Sequence, residues 1–303
     1  MLALRLLSMV RDATGVDLPL GSVFADRTVA ALSARIDNAQ PSGTGASGDI
    51  AEMPPLVPTD RAGLVPASVV QAQACFLSEL ADEALPYQSQ AVIRFDGPLD
   101  EDTLRRVLQA LVDRHEVLRT TFPNVRGAWM QQVHRALEVT LPVVDLRSEP
   151  DPEAALWALA AERFSDRIAV TELPLVHWTL TRLGDDSRAL IWVEHHVVHD
   201  GWSFAATLDE IVTLYRAMAS GGRGPLPALA VQYADFAAWQ HAFPATDAGR
   251  GQLEYWAGQL SDPPPPLLLS TDRPVPATRT FCGRSLRSDL APELIDRLRQ
   301  VAS

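Results

Sequence analysis

A stretch rich in Gly, Ser, Pro and Ala at residues 39–62 divides the chain into two parts of different character. Its composition and its lack of apolar periodicity are typical of a linker. The part before it, residues 1–38, is predicted to be helical throughout: one helix ends near Gly15, a short one covers 21–25, and Thr28 can cap a third. The linker therefore limits the fold to a small helical piece followed by a longer, separate domain.

Residues 63–303 switch repeatedly between helical and extended patterns. The clearest helix follows Asp100, a predicted N-cap, and carries an apolar stripe made by Leu104, Val107, Leu108, Leu111 and Val112. Strands are predicted at 90–97, 129–136, 138–146 and 279–289, and in a hairpin around the turn 184–187. Further helices are predicted at 68–81, 152–166, 203–220, 232–242, 250–260 and from 291 onward. Because strands and helices are interspersed, the predicted fold class is mixed α/β.

Charge and composition exclude several classes of protein. The net charge of −12 and the lack of a basic stripe argue against a nucleic-acid or anionic-membrane partner. No apolar run is long enough to span a bilayer, and Arg5 interrupts the apolar start too early for a signal peptide. The two cysteines, Cys75 and Cys282, lie in no metal or redox spacing. We therefore expect a cytoplasmic protein with no membrane contact.

The segment VEHHVVHDGWSF, residues 193–204, crowds three histidines and an aspartate between a predicted strand and a predicted helix. Such turns present side chains beside the positive end of a helix. His195 and His196 point to opposite faces of the strand, because strand side chains alternate. Ser203 is the predicted N-cap of the following helix, and Gly201 lets the backbone pass close to another group.

Three interpretations of this cluster remain open from the residues alone. In a metal site, His196 and His199, three positions apart, would be joined by His195 and Asp200. In a structural role, the histidines would be hydrogen-bonded inside a tight turn. In acyl transfer, one histidine would be the base, since imidazole titrates near neutral pH. An activated thioester donor would need proximity, a base and an oxyanion donor, but no serine nucleophile.

Four stretches carry a resemblance to a known family. EHHVVHDGWS resembles the His-His-x-x-x-Asp-Gly motif of the condensation domains of nonribosomal peptide synthetases, which chloramphenicol acetyltransferase shares in a degenerate form. DRHEVLRTTF at 113–122, VQYADFAAWQ at 231–240 and the segment that starts with LEYWAGQL are similar to further motifs of that family, in the same order. The resemblance covers residues 61–303. Residues 1–38 resemble the rear part of a peptidyl or acyl carrier domain.

The resemblance implies a chloramphenicol acetyltransferase-like lobe that joins carrier-bound substrates through an amide bond. The substrates would be tethered to 4'-phosphopantetheine on carrier domains, and the chain would bind no cofactor or metal of its own. His196 would be the catalytic base and Gly201 a backbone donor or close-approach point, supported by His195 and by Asp200. Asp200 would pair with an arginine, Arg114 first and Arg119 second.

Other positions receive smaller roles or depart from the family pattern. Tyr233, Asp235 and Trp239 are expected to pack or to cap, and His199 is expected to have no role because its position is variable. At the first family motif, the sequence has Val70, Gln73 and Cys75 where alanine, arginine and an aromatic residue are usual.

The expected domain order is a truncated carrier domain at 1–38, a linker at 39–62, the N-terminal lobe of a condensation domain at 63–242, and the start of its C-terminal lobe at 243–303. The carrier serine would fall before Met1, and a late tunnel motif is missing, so we expect a fragment whose partners include the remainder of a synthetase. Two alternatives stay open. The chain could be an inactive fragment or interaction module, or a stand-alone acyltransferase of the chloramphenicol acetyltransferase type.

Overall fold

The computed structural model describes residues 2–16, 18–26, 28–38, 53–81, 85, 87–222, 224, 226–263, 265, 267, 272, 274 and 288–302. Its helices are α1 Leu2–Thr14, α2 Leu20–Ala25, α3 Val29–Asn38, α4 Val69–Leu80, α5 Glu101–Arg114, α6 Pro152–Ser165, α7 Gly201–Ala219, α8 Tyr233–Ala242, α9 Asp247–Gln259 and α10 Pro292–Ala302. Its strands are β1 Val65–Pro66, β2 Gln88–Asp96, β3 Thr120–Thr121, β4 Asn124–Val125, β5 Ala128–Val133, β6 Val143–Asp145, β7 Val176–Arg182 and β8 Ser187–His195. The chain divides into two compact units, Met1–Met53 and Pro54–Ser303.

The first unit contains the three predicted helices. Gly15 follows α1 with a φ of 70° and donates its N–H to Arg11 at 2.8 Å, which ends the helix in the left-handed conformation that glycine tolerates. The hydroxyl of Thr28 accepts a hydrogen bond from the N–H of Ala31 at 3.2 Å, as expected of an N-cap of α3. The ends of all three helices therefore agree with the sequence pattern.

The second unit is built on a four-stranded sheet in the order β2-β8-β7-β6. The pairs β2–β8 and β7–β8 are antiparallel, and β6 joins β7 in parallel. Strand β8 lies between two partners, and from Ala189 to His195 all of its residues are buried. A smaller sheet joins β1, β5 and β3, with β4 paired to β5. The mixed α/β class is therefore observed.

Helices cover the main sheet. Asp100 caps α5 by accepting the N–H of Thr103 at 2.6 Å, and the predicted apolar stripe of this helix is buried in the core. Helix α5 packs against α7, whereas α6 contacts β2 and β8. The buried stripe holds α5 in place and so supports α7, the helix that follows the histidine segment.

Several predicted bounds differ from the structure, and two of these differences have a clear physical cause. Only Val143–Asp145 of the predicted strand 138–146 is a strand, because β6 pairs with β7 over three residues and the segment before it lines a cavity beside β7 instead. Helix α9 begins at Asp247, three residues before the predicted start, because Thr246 accepts the N–H of Gly249 and caps it there. The predicted strand at 279–289 lies almost wholly outside the described residues.

The end of the predicted linker is bound to α8. The carbonyl of Pro54 accepts the indole N–H of Trp239 at 2.8 Å, and the N–H of Thr59 donates to Asp235 at 2.6 Å. Arg61 contacts Asp235 at 2.7 Å and Glu116 at 2.8 Å. Residues 54–61 thus form a strap on the second unit, where composition alone indicates a free linker. Asp235 and Trp239 bind this strap through hydrogen bonds, in keeping with their expected packing role.

Candidate active site

The histidine segment forms a five-residue loop, 196–200, between β8 and α7, as the sequence predicts. Register fixes which side chains share a face: Gln88 lies opposite His195, and Ser89 lies opposite Glu194. Residues directly opposite in an antiparallel pair point to the same side of the sheet. His195 therefore lies on the face covered by α6, and Glu194 lies on the face covered by α7.

His195 is a buried, neutral histidine. Only 3% of the residue is exposed, and its Nδ1 accepts the N–H of Val197 at 3.1 Å. Its Nε2 therefore carries the proton and donates to the hydroxyl of Ser78 at 2.9 Å. Burial, with smaller effects from His196 and Arg167, lowers the pKa of His195 to about 4. A ring that donates to Ser78 cannot activate that hydroxyl, so the geometry gives His195 a supporting position.

His196 is exposed at the mouth of a cavity of about 220 Å³. Its backbone N–H donates to the carbonyl of Tyr87 at 2.6 Å, which holds the main chain to β2. The cavity is lined by Ser89, Gln90, Ala91, Trp192, Glu194, His196, Asp200, Gly201 and Phe204. A larger cavity of about 300 Å³ lies beside β7 and is lined by that strand and the segment before β6. The imidazole of His196 is thus accessible at the smaller cavity.

Gly201 is the first residue of α7 and also lines the smaller cavity. A Cβ built at this position meets nothing within 4 Å, so a side chain here would project into open space. The first N–H groups of a helix have no partner within it and carry partial positive charge. The start of α7 therefore forms part of the wall of the cavity that His196 also lines.

Asp200, not Ser203, is the N-cap of α7. Its carboxylate accepts a hydrogen bond from the N–H of Ser203 at 2.7 Å, and the hydroxyl oxygen of Ser203 accepts one from the N–H of Asp200 at 2.8 Å. This reciprocal pair is a capping box, and it lowers the pKa of Asp200, first through the Ser203 hydroxyl. The prediction that Ser203 caps the helix is wrong, because the helix begins two residues earlier.

The predicted pairing of Asp200 with Arg114 or Arg119 is also wrong. Arg114 binds Glu210 of α7 at 3.1 Å and the carbonyl of Pro227 at 2.6 Å. Arg119 donates to the carbonyls of Val112, Asp113 and His134. Arg114 therefore ties α5 to α7, and Arg119 holds the end of α5 to the residue that follows β5.

Two functional candidates were missed by the sequence prediction. His199, expected to be incidental, is 6% exposed and binds Glu194 through Nδ1 at 2.7 Å. Glu194 is 5% exposed and also accepts the indole N–H of Trp192 at 2.7 Å. A carboxylate in an apolar strand next to the motif is the signal that could have found this pair. Within the described part of the chain, no group of three His, Cys, Asp or Glu side chains could hold a metal ion.

Comparisons with known proteins agree on one family. The family model described as "Condensation domain" matches residues 61–303. A linear gramicidin synthase of Brevibacillus parabrevis is 33% identical over 304 residues, which cover 100% of this chain and 4% of that protein. Phosphinothricin tripeptide synthetase PhsC of Streptomyces viridochromogenes is 36% identical over 82% of this chain and 23% of that protein. This chain therefore spans only a small part of these curated relatives.

Solved structures show the same fold. The X-domain from teicoplanin biosynthesis, in its complex with OxyB, matches with a TM-score of 0.67 at 26% identity, over 76% of this chain and 50% of that chain. The first condensation domain of the calcium-dependent antibiotic synthetase, in complex with a substrate analogue, matches with a TM-score of 0.60 at 23% identity, over 68% of this chain and 49% of that one. No helix in the described residues is both long and apolar enough to cross a membrane.

Proposed function

Because this chain belongs to the condensation-domain family over residues 61–303, we propose that it forms an amide bond between two carrier-bound substrates within a nonribosomal peptide synthetase. Its partners are carrier domains, which present acyl and amino groups on 4'-phosphopantetheine arms. The observation that carries the proposal is the accessible His196 imidazole at a cavity whose wall also contains the start of α7.

The reaction needs one base and one oxyanion donor. The acceptor amine nitrogen attacks the donor thioester carbonyl, and a C–N bond forms as the C–S bond breaks. The proton that leaves the amine passes to His196 Nδ1 or Nε2 and then to the departing thiolate, so the products are an amide and a thiol. The N–H of Gly201 and the positive end of α7 stabilise the negative charge on the carbonyl oxygen.

The supporting residues divide into two groups. His195, neutral and buried, anchors the start of the loop through Val197 and Ser78. Asp200 fixes the end of the loop by capping α7. Arg114 and Arg119 act at a distance, through the frame of α5 and α7.

We also infer that residues 1–38 are the rear helices of a carrier domain, that 39–62 connect it to the condensation domain, and that the condensation domain's second lobe begins near residue 243. The alignment with the linear gramicidin synthase of Brevibacillus parabrevis runs through the whole chain, which supports this order. Limited proteolysis of the intact polypeptide tests it. Cleavage is expected first between residues 39 and 53, and first cuts within 63–242 would contradict the division.

The amide-forming activity is tested by incubating the purified polypeptide that contains this chain with a panel of aminoacyl N-acetylcysteamine thioesters. Mass spectrometry is expected to detect dipeptidyl thioesters formed faster than in buffer. Hydrolysed amino acids as the sole products would favour a hydrolase instead. Complete recovery of the starting thioesters would favour an interaction module.

A further inference from the structure

His199 occupies the space between β8 and α7. Its ring stacks on Trp192 of β8, with centroids 5.6 Å apart and planes 14° apart. The same ring meets Phe204 of α7 edge-on, with centroids 5.5 Å apart. His199 therefore joins β8, the strand that ends just before His196, to the helix that starts at Gly201.

Both nitrogens of His199 are used. Nδ1 contacts the Glu194 carboxylate at 2.7 Å, and Nε2 contacts the Thr207 hydroxyl at 3.3 Å. That hydroxyl already donates its proton to the carbonyl of Ser203 at 2.8 Å, so it accepts from His199. The bond to Thr207 therefore assigns a proton to Nε2, and Nδ1 shares a hydrogen bond with Glu194.

Glu194 completes the arrangement as an acceptor. One carboxylate oxygen accepts the indole N–H of Trp192 at 2.7 Å, and the other faces His199 and also accepts from the hydroxyl of Ser89 at 3.3 Å. Glu194 and His199 thus make a buried, hydrogen-bonded pair.

The pair holds the far side of the catalytic loop. The near side is fixed by His195, which accepts from the N–H groups of Val197 and Val198, and by the bond from His196 to Tyr87. His199 fixes the loop three residues further on. Glu194 of β8 and His196, the first residue of the loop, also line one cavity.

We propose that Glu194 and His199 are positioning residues that hold the loop against β8 and α7 and thereby keep the His196 imidazole at the cavity mouth. This inference rests on the proposed function, because it assigns the pair a role in the same amide-forming step. The pair touches neither reacting atom, and it acts through the position of His196 alone.

The test compares three variants of the intact polypeptide. His199→Phe keeps a stacked ring but loses both hydrogen bonds, and Glu194→Gln keeps an acceptor for Trp192. Each single variant is expected to lower kcat for amide formation about 10- to 100-fold with KM within about twofold, as expected when geometry at the reacting centre is disturbed.

The double variant separates positioning from stability. A buried polar group that has lost its hydrogen-bond partner destabilises the fold, but replacing both partners of a buried pair can be nearly neutral. The double variant Glu194→Gln/His199→Phe is therefore expected to regain thermal stability relative to His199→Phe while its kcat stays low. Its kcat is expected to be no lower than that of the worse single variant, because the two residues act as one unit.

His134→Phe is the matched control. His134 is half-buried and bonds the hydroxyl of Thr121 at 2.8 Å in the small sheet, so its loss is expected to leave kcat unchanged. Wild-type kcat in a folded His199→Phe variant would overturn the inference. A loss of activity that only follows the unfolded fraction would overturn it too.

A spectroscopic measurement keeps this inference separate from the proposed function. The imidazole resonances of His196 in NMR spectra are expected to be single and sharp in the wild type, and shifted or broadened in His199→Phe but not in His134→Phe. If the wild type forms no amide, the proposed function fails, and this comparison still decides the positioning role. Unchanged His196 resonances in His199→Phe would overturn it.

Discussion

Adjacent residues of the loop differ sharply in environment. His195 is buried against Ser78, whereas His196, the next residue, is exposed at the cavity. Strand alternation explains this difference, so the sequence could separate the two histidines before the structure was known. Their separation lets one imidazole hold the loop while its neighbour remains exposed at the cavity.

The buried neutral state of His195 makes stability depend on pH. Its pKa of about 4 lies below the 6.5 of an unperturbed histidine, so between these pH values the unfolded chain binds the extra proton. This contribution to folding is fully present above pH ~6.5 and is lost as the pH falls toward 4. At about 1.4 kcal/mol per pKa unit, its size is on the order of 3 kcal/mol.

Urea unfolding between pH 7 and pH 4 measures this dependence. The His195→Gln variant is expected to be less stable than the wild type at pH 7, because it loses the buried contacts, but its stability should fall less between pH 6.5 and 4. An equally steep fall in both proteins would show that His195 is not the group responsible.

Gly201 gives a prediction in which stability and activity separate. A methyl group at this position meets no atom within 4 Å, and alanine favours a helix more than glycine does. Gly201→Ala is therefore expected to unfold at the same temperature as the wild type or slightly higher. Because Gly201 lines the cavity, the added methyl is expected to hinder the approach of substrate and to slow amide formation about tenfold or more. A variant with full activity would remove Gly201 from the site.

At the residue scale, sequence prediction failed where tertiary partners decide. It paired Asp200 with an arginine, but the Asp200 carboxylate caps its own helix, α7. Arg114, the first arginine predicted as its partner, binds Glu210 instead. It gave His199 no role, because the position is variable in the family motif. The sequence does not reveal that this ring packs between β8 and α7. The Glu194–His199 bond joins two residues whose side chains meet only after the loop has folded.

At the level of elements, most bounds follow from local signals. Capping residues mark the starts of α4, α5 and α6, where Ser68, Asp100 and Asp151 each accept a backbone N–H. Short strands such as β1, β3 and β4 have two residues each, too few for any periodic pattern to appear. The strap at 54–61 was also beyond sequence analysis, since its order comes from α8 and not from its own composition.

Because Asp235 binds the strap, its substitution is expected to lower the free energy of unfolding strongly. This carboxylate is 1% exposed, and although burial alone would raise its pKa, bonds from Arg61, Gln232 and Thr59 lower it. Its contribution to stability is therefore present above pH ~4, the ordinary pKa of an aspartate, and lost as the pH falls below that value. Asp235→Asn leaves Arg61 with a weaker partner, which is expected to cost about 3–5 kcal/mol at pH 7.

Asp247→Asn is the matched control for urea unfolding at pH 7. Asp247 also pairs with an arginine, Arg250, but its side chain is 85% exposed, and exposed pairs contribute at most about 1 kcal/mol. Similar losses in the two variants would show that the strap contact is no stronger than a surface pair.

For the whole molecule, the order of strands and helices along the chain was enough to predict a mixed α/β fold and, with its motifs, the condensation-domain family. The sheet order β2-β8-β7-β6 could not be predicted from the sequence, because β2 pairs with a strand about a hundred residues further along the chain. That long-range pairing sets the register of Ser89 with Glu194 and so the shape of the cavity at His196.

The central claim is that His196 carries amide formation, and single-turnover transfer between loaded carriers tests it most directly. His196→Ala, in the intact polypeptide, is expected to slow transfer about 10²- to 10⁴-fold, the usual contribution of a positioned acid–base group, while both carriers still load. The control His134→Ala should transfer at the wild-type rate. Transfer by a folded His196→Ala variant at the wild-type rate would contradict the account.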